Sequence, residues 1–150
     1  MDPLASVLTD SARAGVYHLN REPRDAAAIA EAAGLACVRI DIGHAHDKAG
    51  FIGYLAKAMA FPPTFGNNWD ALADSLKDLS WFPGGSSGRG WVVVLEKSKH
   101  FCAAHHHEFE EAMDLMAEVS ASWKGDGKAF WTLVGGPEGW HSGFPELPAA

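Results

Sequence analysis

The chain has little cysteine: two residues, Cys37 and Cys102, in 150. Two thiols cannot supply the set of bridges that holds a small secreted scaffold together, so a disulfide-built fold is excluded. Cys37 lies in an apolar run and reads as a small buried hydrophobe. Cys102, next to Phe101, is open to either reading. Basic residues are also scarce, 12 against 19 acids, for a net charge of -7. A surface that grips nucleic-acid phosphates needs a basic patch, so no nucleic-acid partner is expected. Long apolar runs are missing, none reaching the roughly 18 residues of a membrane span. No segment has the charged and apolar regions of a signal peptide. The expectation is a protein that meets no membrane and works in the cytoplasm. A Gly-x-x-x-x-Gly-Lys phosphate loop, a Gly-x-Ser-x-Gly elbow and a His-Glu-x-x-His zinc helix are absent as well. Neither catalysis nor a cofactor is expected.

What is present is a core. The chain is 47% hydrophobic with six tryptophans, which places it among globular rather than disordered sequences. Its length suits one domain, residues 1–150. Gly15 to Leu19 alternates weakly and reads as a strand. Asp25 to Ala33 is Ala-rich and helical, with Gly34 as its stop. Ala36 to Ile42 carries the β-branched residues of a strand. Asp47 caps a helix reaching about Met59, which Pro62-Pro63 end. Trp91 to Glu96 is nearly all apolar, as in a strand covered on both faces. A long helix is expected from about Ala104 to Trp123, turning Phe109, Met113, Met116 and Val119 or Ser120 inward. Phe130 to Gly135 is the last strand, and residues 136–150 form a Pro/Gly-rich tail expected to fray at its end. Strands alternating with helices imply an α/β fold with a mainly parallel sheet, in two or three layers.

The segment from Phe61 to Leu76 carries the chemistry. On a helical projection Phe65, Trp69, Leu72, Leu76 and Leu79 share one side, and Asp70, Asp74, Lys77 and Asp78 the other. Asp70 and Asp74 are four residues apart. Like charges at that spacing cost an isolated helix about 0.2–0.5 kcal/mol. Asp70 falls in the first turn, where the helix dipole stabilises an anion. Two fixed carboxylates one turn apart can each receive an Arg fork or a Lys ammonium. An acidic protein of this kind suits a cationic protein partner, whose phosphate-binding site it can fill by copying the substrate's charge. Asn67 or Asn68 can cap the helix. Gly66 suits a positive φ at the turn before it. Trp69, on the apolar side, reads as core rather than contact.

Pro62, Phe65, Gly66, Asn68, Trp69, Asp70, Ala71, Leu72, Asp74 and Leu76 together resemble the signature of the barstar family, intracellular inhibitors of secreted microbial ribonucleases. Val92 to Glu96 is similar to that family's next strand and Phe130 to Val134 to its last. The resemblance covers about residues 36–135. It implies three parallel core strands with helices packed on them. Residues 1–35 lie outside it, and their strand and helix are expected to extend the sheet to four strands. The resemblance also implies that Asp74 enters a nuclease active site where a phosphate would lie and that Asp70 pairs with a neighbouring cation. Thr64, Phe65, Gly66, Asn68 and Ala73 would form the surround. The expected partner is a basic secreted-type ribonuclease or another cationic toxin protein. The sequence departs from the family at Thr64, often Tyr, and at Ala73, often Trp. Both changes remove aromatic anchors, the residues that tend to dominate an interface. They leave open a second reading, an interaction module that neutralises a different toxin or regulator. Glu108, Glu110 and Glu111 on the long helix would add long-range steering.

Two histidine groups invite a metal reading: His105-His106-His107-Glu108 and His44-x-His46-Asp47. Neighbouring residues on a helix point 100° apart, whereas helical zinc pairs need i and i+4. No metal is expected from either stretch.

Overall fold

The computed structural model describes residues 3–62, 66–82 and 88–147. Four strands form one sheet: β1 (Val16–His18), β2 (Ala36–Asp41), β3 (Gly90–Glu96) and β4 (Ala129–Val134). Their order is β1-β4-β3-β2, and every neighbouring pair runs parallel. The fold is therefore α/β with a parallel sheet of three strands, β2, β3 and β4, and a fourth N-terminal strand on the β4 edge. Six α-helices accompany it among the described residues: α1 (Pro3–Leu8), α2 (Pro23–Ala32), α3 (Lys48–Ala58), α4 (Trp69–Asp78), α5 (Lys99–Ala104) and α6 (His106–Gly125).

The central strands explain the layering. Every residue of β4 is buried, and so is all of β3 except Glu96. Successive side chains of a strand face opposite ways. Trp91, Val93 and Leu95 enter one core with Phe51, Leu55, Leu72, Leu76, Phe109, Met113 and Met116, which come from α3, α4 and α6. Val92 and Val94 enter a second core with Leu4, Val7, Leu8, Ala26 and Ala30, from α1 and α2, and with Trp131 and Leu133. A parallel sheet covered on both faces is the arrangement its apolar runs require. Of the two layerings left open by the sequence, three layers is the one found. The N-terminal residues do more than lengthen the sheet, because they also roof its second face.

Several local expectations hold. Asp47 caps α3 by accepting from Gly50 N at 2.7 Å. Gly34 turns the chain after α2 at φ +89°. Phe109, Met113, Met116, Val119 and Ser120 are all buried. Other details differ. The long helix α6 starts at His106, close to the expected Ala104, but a short helix not expected from the sequence, α5, precedes it and ends at His105, whose φ of -129° and ψ of 51° are not helical. Helix α3 ends at Ala58, with Ala60 left-handed at φ 53°, before Pro62 is reached. Cys37 is only partly buried, at the edge of the second core. The C-terminal segment folds back on β1 as far as Leu147: His18 N donates to Pro145 O at 2.7 Å, and Trp140 and Phe144 pack on the first core. Residues 148–150, where fraying was expected, lie outside the described residues.

Candidate partner-binding site

Helix α4 is held in place from three sides. Asn68 is its N-cap, the side-chain Oδ1 accepting from Ala71 N at 2.8 Å. Leu72 and Leu76 are buried against the first core. The Trp123 indole of α6 donates to Leu76 O at 2.8 Å. At the far end Leu79 takes a left-handed conformation at φ 52°, and its N–H donates to Ser75 O. This anchorage presents Asp70, Asp74 and Asp78 to solvent. Lys77 on the same helix turns to Glu118 of α6, 3.5 Å away.

Asp70 and Asp74 stand one turn apart on a helix fixed at both ends. Among the described residues neither carboxylate has a hydrogen bond or an ion pair. Other acids are engaged: Glu96 with Arg39 at 2.6 Å and Asp41 with Lys97 at 3.2 Å. Beside Asp70, α4 and α6 enclose a groove of about 560 Å³ lined by Trp69, Asp70, Ala73, Glu111, Asp114, Leu115 and Glu118. Four of those seven residues are acidic, so the groove concentrates negative potential next to an apolar floor.

The expected site residues divide as follows. Asp70 and Ala73 line the groove. Asp74 is exposed on the same helix but is not part of the groove wall. Asn68 is the cap, exposed at the mouth of the helix. Gly66 sits beside it, where an added Cβ would come within 3.3 Å of Asn68 Nδ2. Thr64 and Phe65 lie outside the described residues, and so does the positive φ expected at Gly66, which depends on Phe65. Trp69 packs against the first core as expected, its ring centroid 6.2 Å from that of Phe51, and it also lines the groove. The Lys48 ammonium lies 5.9 Å from its ring centroid.

Two acids of the groove, Asp114 and Glu118, were not singled out in the sequence. With Glu111 they stand at i, i+3 and i+7, one stripe of a helix. The stripe is readable in the sequence, but its meaning depends on which helix α6 packs against. Of the three acids expected to steer a partner, Glu111 lines the groove while pairing with His107 at 3.3 Å, and Glu110 pairs with His106 at 2.7 Å. Glu108 is partly buried in the first turn of α6.

No helix among the described residues is long and apolar enough to cross a membrane. No curated protein matches the chain. A family model described as Barstar (barnase inhibitor) matches residues 35–135, a span that contains β2, β3, β4, the capped acidic helix and the whole groove. With that span and this parallel sheet, the chain belongs to the barstar family, a family of inhibitors of ribonucleases.

Proposed function

We propose that the protein is a non-catalytic inhibitor of a basic, secreted-type ribonuclease, acting in the cytoplasm of the cell that makes the enzyme, as an antitoxin or immunity protein does. The observation that carries this reading is the Asp70–Asp74 pair, without a hydrogen bond or ion pair among the described residues, on a capped and packed helix beside an acidic groove. Preset acceptors of this kind need no reorganisation to receive Arg or Lys side chains. A nuclease site that holds an RNA phosphate offers such cations. Asp74, standing clear of the groove wall, is the carboxylate that reaches into that site. Asp70 and the acids of α6 engage cations around it. Thr64, Phe65, Gly66, Asn68 and Ala73 form the surround. Close charge pairs across an interface are net favourable in some complexes, and the inhibitor complex that gives this family its name is the reference case.

A second reading has a specific observation in its favour. Ala73 lines the groove where the family often carries Trp, so the apolar anchor is missing at the point of contact. A cationic toxin or regulator with its own bulky side chain would fit the space that Ala73 leaves.

The test is a pull-down with the full chain as bait against cell extract and secreted proteins of its source, repeated with an Asp70→Ala/Asp74→Ala double variant. Capture of a small basic ribonuclease by the first bait, lost with the second, is the expected result. Capture of a non-nuclease through the same two carboxylates supports the second reading. Equal capture by both baits overturns both.

A further inference from the structure

Three histidines that are distant in the sequence meet in the fold. His46 precedes α3 in the loop after β2. His100 is the second residue of α5. His105 is the break between α5 and α6. One ring nitrogen from each lies within 4.8 Å of the other two. The His46 and His100 rings meet edge-on at 5.4 Å, and the His100 and His105 rings at 5.8 Å. In an unbroken helix His100 and His105 would point about 140° apart, since each residue turns the helix by 100°. The break at His105 brings its ring round to His100.

Ordinary packing accounts only for His105, whose ring lies 6.0 Å from that of Phe101. His46 and His100 are exposed and His105 is half-buried, so little apolar burial rewards the gathering. Among the described residues none of the three imidazole rings makes a hydrogen bond or an ion pair. Two neighbouring histidines behave otherwise: His106 and His107 each face a glutamate one turn on. The neighbouring carboxylate, Asp47, is committed to capping α3.

We propose that His46, His100 and His105 form a binding site for a divalent transition-metal ion of the zinc class. Three imidazoles and no carboxylate favour zinc over magnesium or calcium, which take oxygen donors. At zinc–nitrogen distances of about 2.0–2.1 Å, tetrahedral donors stand roughly 3.4 Å apart. The exposed His46 and His100 rings close the remaining gap by rotamer adjustment. A fourth position is left for water. The bound ion ties the loop before α3 to the α5–α6 junction, across the Phe51–Phe101 stack whose centroids are 5.2 Å apart.

The test is zinc uptake by the full-length protein after removal of metal with a chelator. Equilibrium dialysis against zinc chloride near neutral pH, with the metal counted by mass spectrometry, gives the stoichiometry. Competition with a chromophoric zinc chelator gives the affinity. One zinc per chain is expected for the wild type and for His107→Ala, a control outside the cluster. His46→Ala and His100→Ala should each weaken binding at least about tenfold. Both side chains are exposed, so the circular dichroism of the metal-free variants should match that of the wild type. No uptake by the wild type overturns the site. So does a loss in His107→Ala equal to that in His100→Ala, which would assign the zinc to the His–Glu pairs of α6.

Discussion

Asn68 shows how much one side chain decides. Its Oδ1 accepts from Ala71 N at 2.8 Å and so fixes where α4 begins. That start places Asp70 in the first turn, where the partial positive charge of the helix terminus favours a carboxylate. Asn68→Ala should cost about 1 kcal/mol of stability, read as a lower urea midpoint with an unchanged slope. His18 makes a different prediction. It is 6% exposed, with the His141 ring stacked 4.0 Å away and Ser142 Oγ 2.9 Å from Nδ1. Burial lowers its pKa from the ordinary 6.5, the His141 charge adds to the fall, and Glu146 opposes it. The unfolded chain therefore takes up this proton first as the pH drops. Stability from His18 is present above about pH 6.5 and is lost progressively below it. Urea midpoints should fall between about pH 7 and pH 5, and the fall should be smaller in His18→Gln. An equal fall in both proteins would assign the effect to other groups. Cys37 is governed by burial too, which, reinforced by Glu31, pushes its thiol up to about 11.

At the scale of the element, β3 and α4 were legible for opposite reasons. Strand β3 has no polar face, so its run from Trp91 to Leu95 could only be a strand buried on both sides. Helix α4 has two clean faces and an Asn at its start. Its neighbour is less transparent. The sequence reading starts the long helix at about Ala104 and leaves the six-residue α5 before it unmarked, since no glycine or proline signals the break at His105. The groove was only half legible, because Glu111, Asp114 and Glu118 become part of a site through the packing of α6 on α4, a contact between segments far apart in the chain. Gly90, where β3 begins, is likewise explained by a neighbour. Its φ is +151°, and a Cβ there would lie 1.9 Å from Ala129 O of the paired strand β4. Gly90→Ala should therefore destabilise by more than about 1 kcal/mol, checked by denaturant unfolding.

On the scale of the whole molecule, the family match begins at residue 35, and the two helices that roof the second core come before it. Trp131 is the keystone of that core: fully buried, its indole N–H donates to Leu8 O at 2.9 Å, and the Tyr17 ring lies 5.4 Å away. Trp131→Ala should cost about 3–5 kcal/mol, the usual range for emptying such a site. Thermal unfolding would register it as a drop in midpoint. The loss would leave α4 intact on the opposite face, so stability and partner binding should respond to different residues. The N-terminal layer thus supports a sheet whose other side carries the acidic helix and its groove. The most direct measurement is the affinity of the captured basic partner for the wild type and for Asp74→Ala, by titration calorimetry at low and at high salt. A loss of at least about 2 kcal/mol in the variant, with wild-type binding weakened by salt, is the predicted result; an affinity indifferent to both would contradict the acidic helix as the binding site.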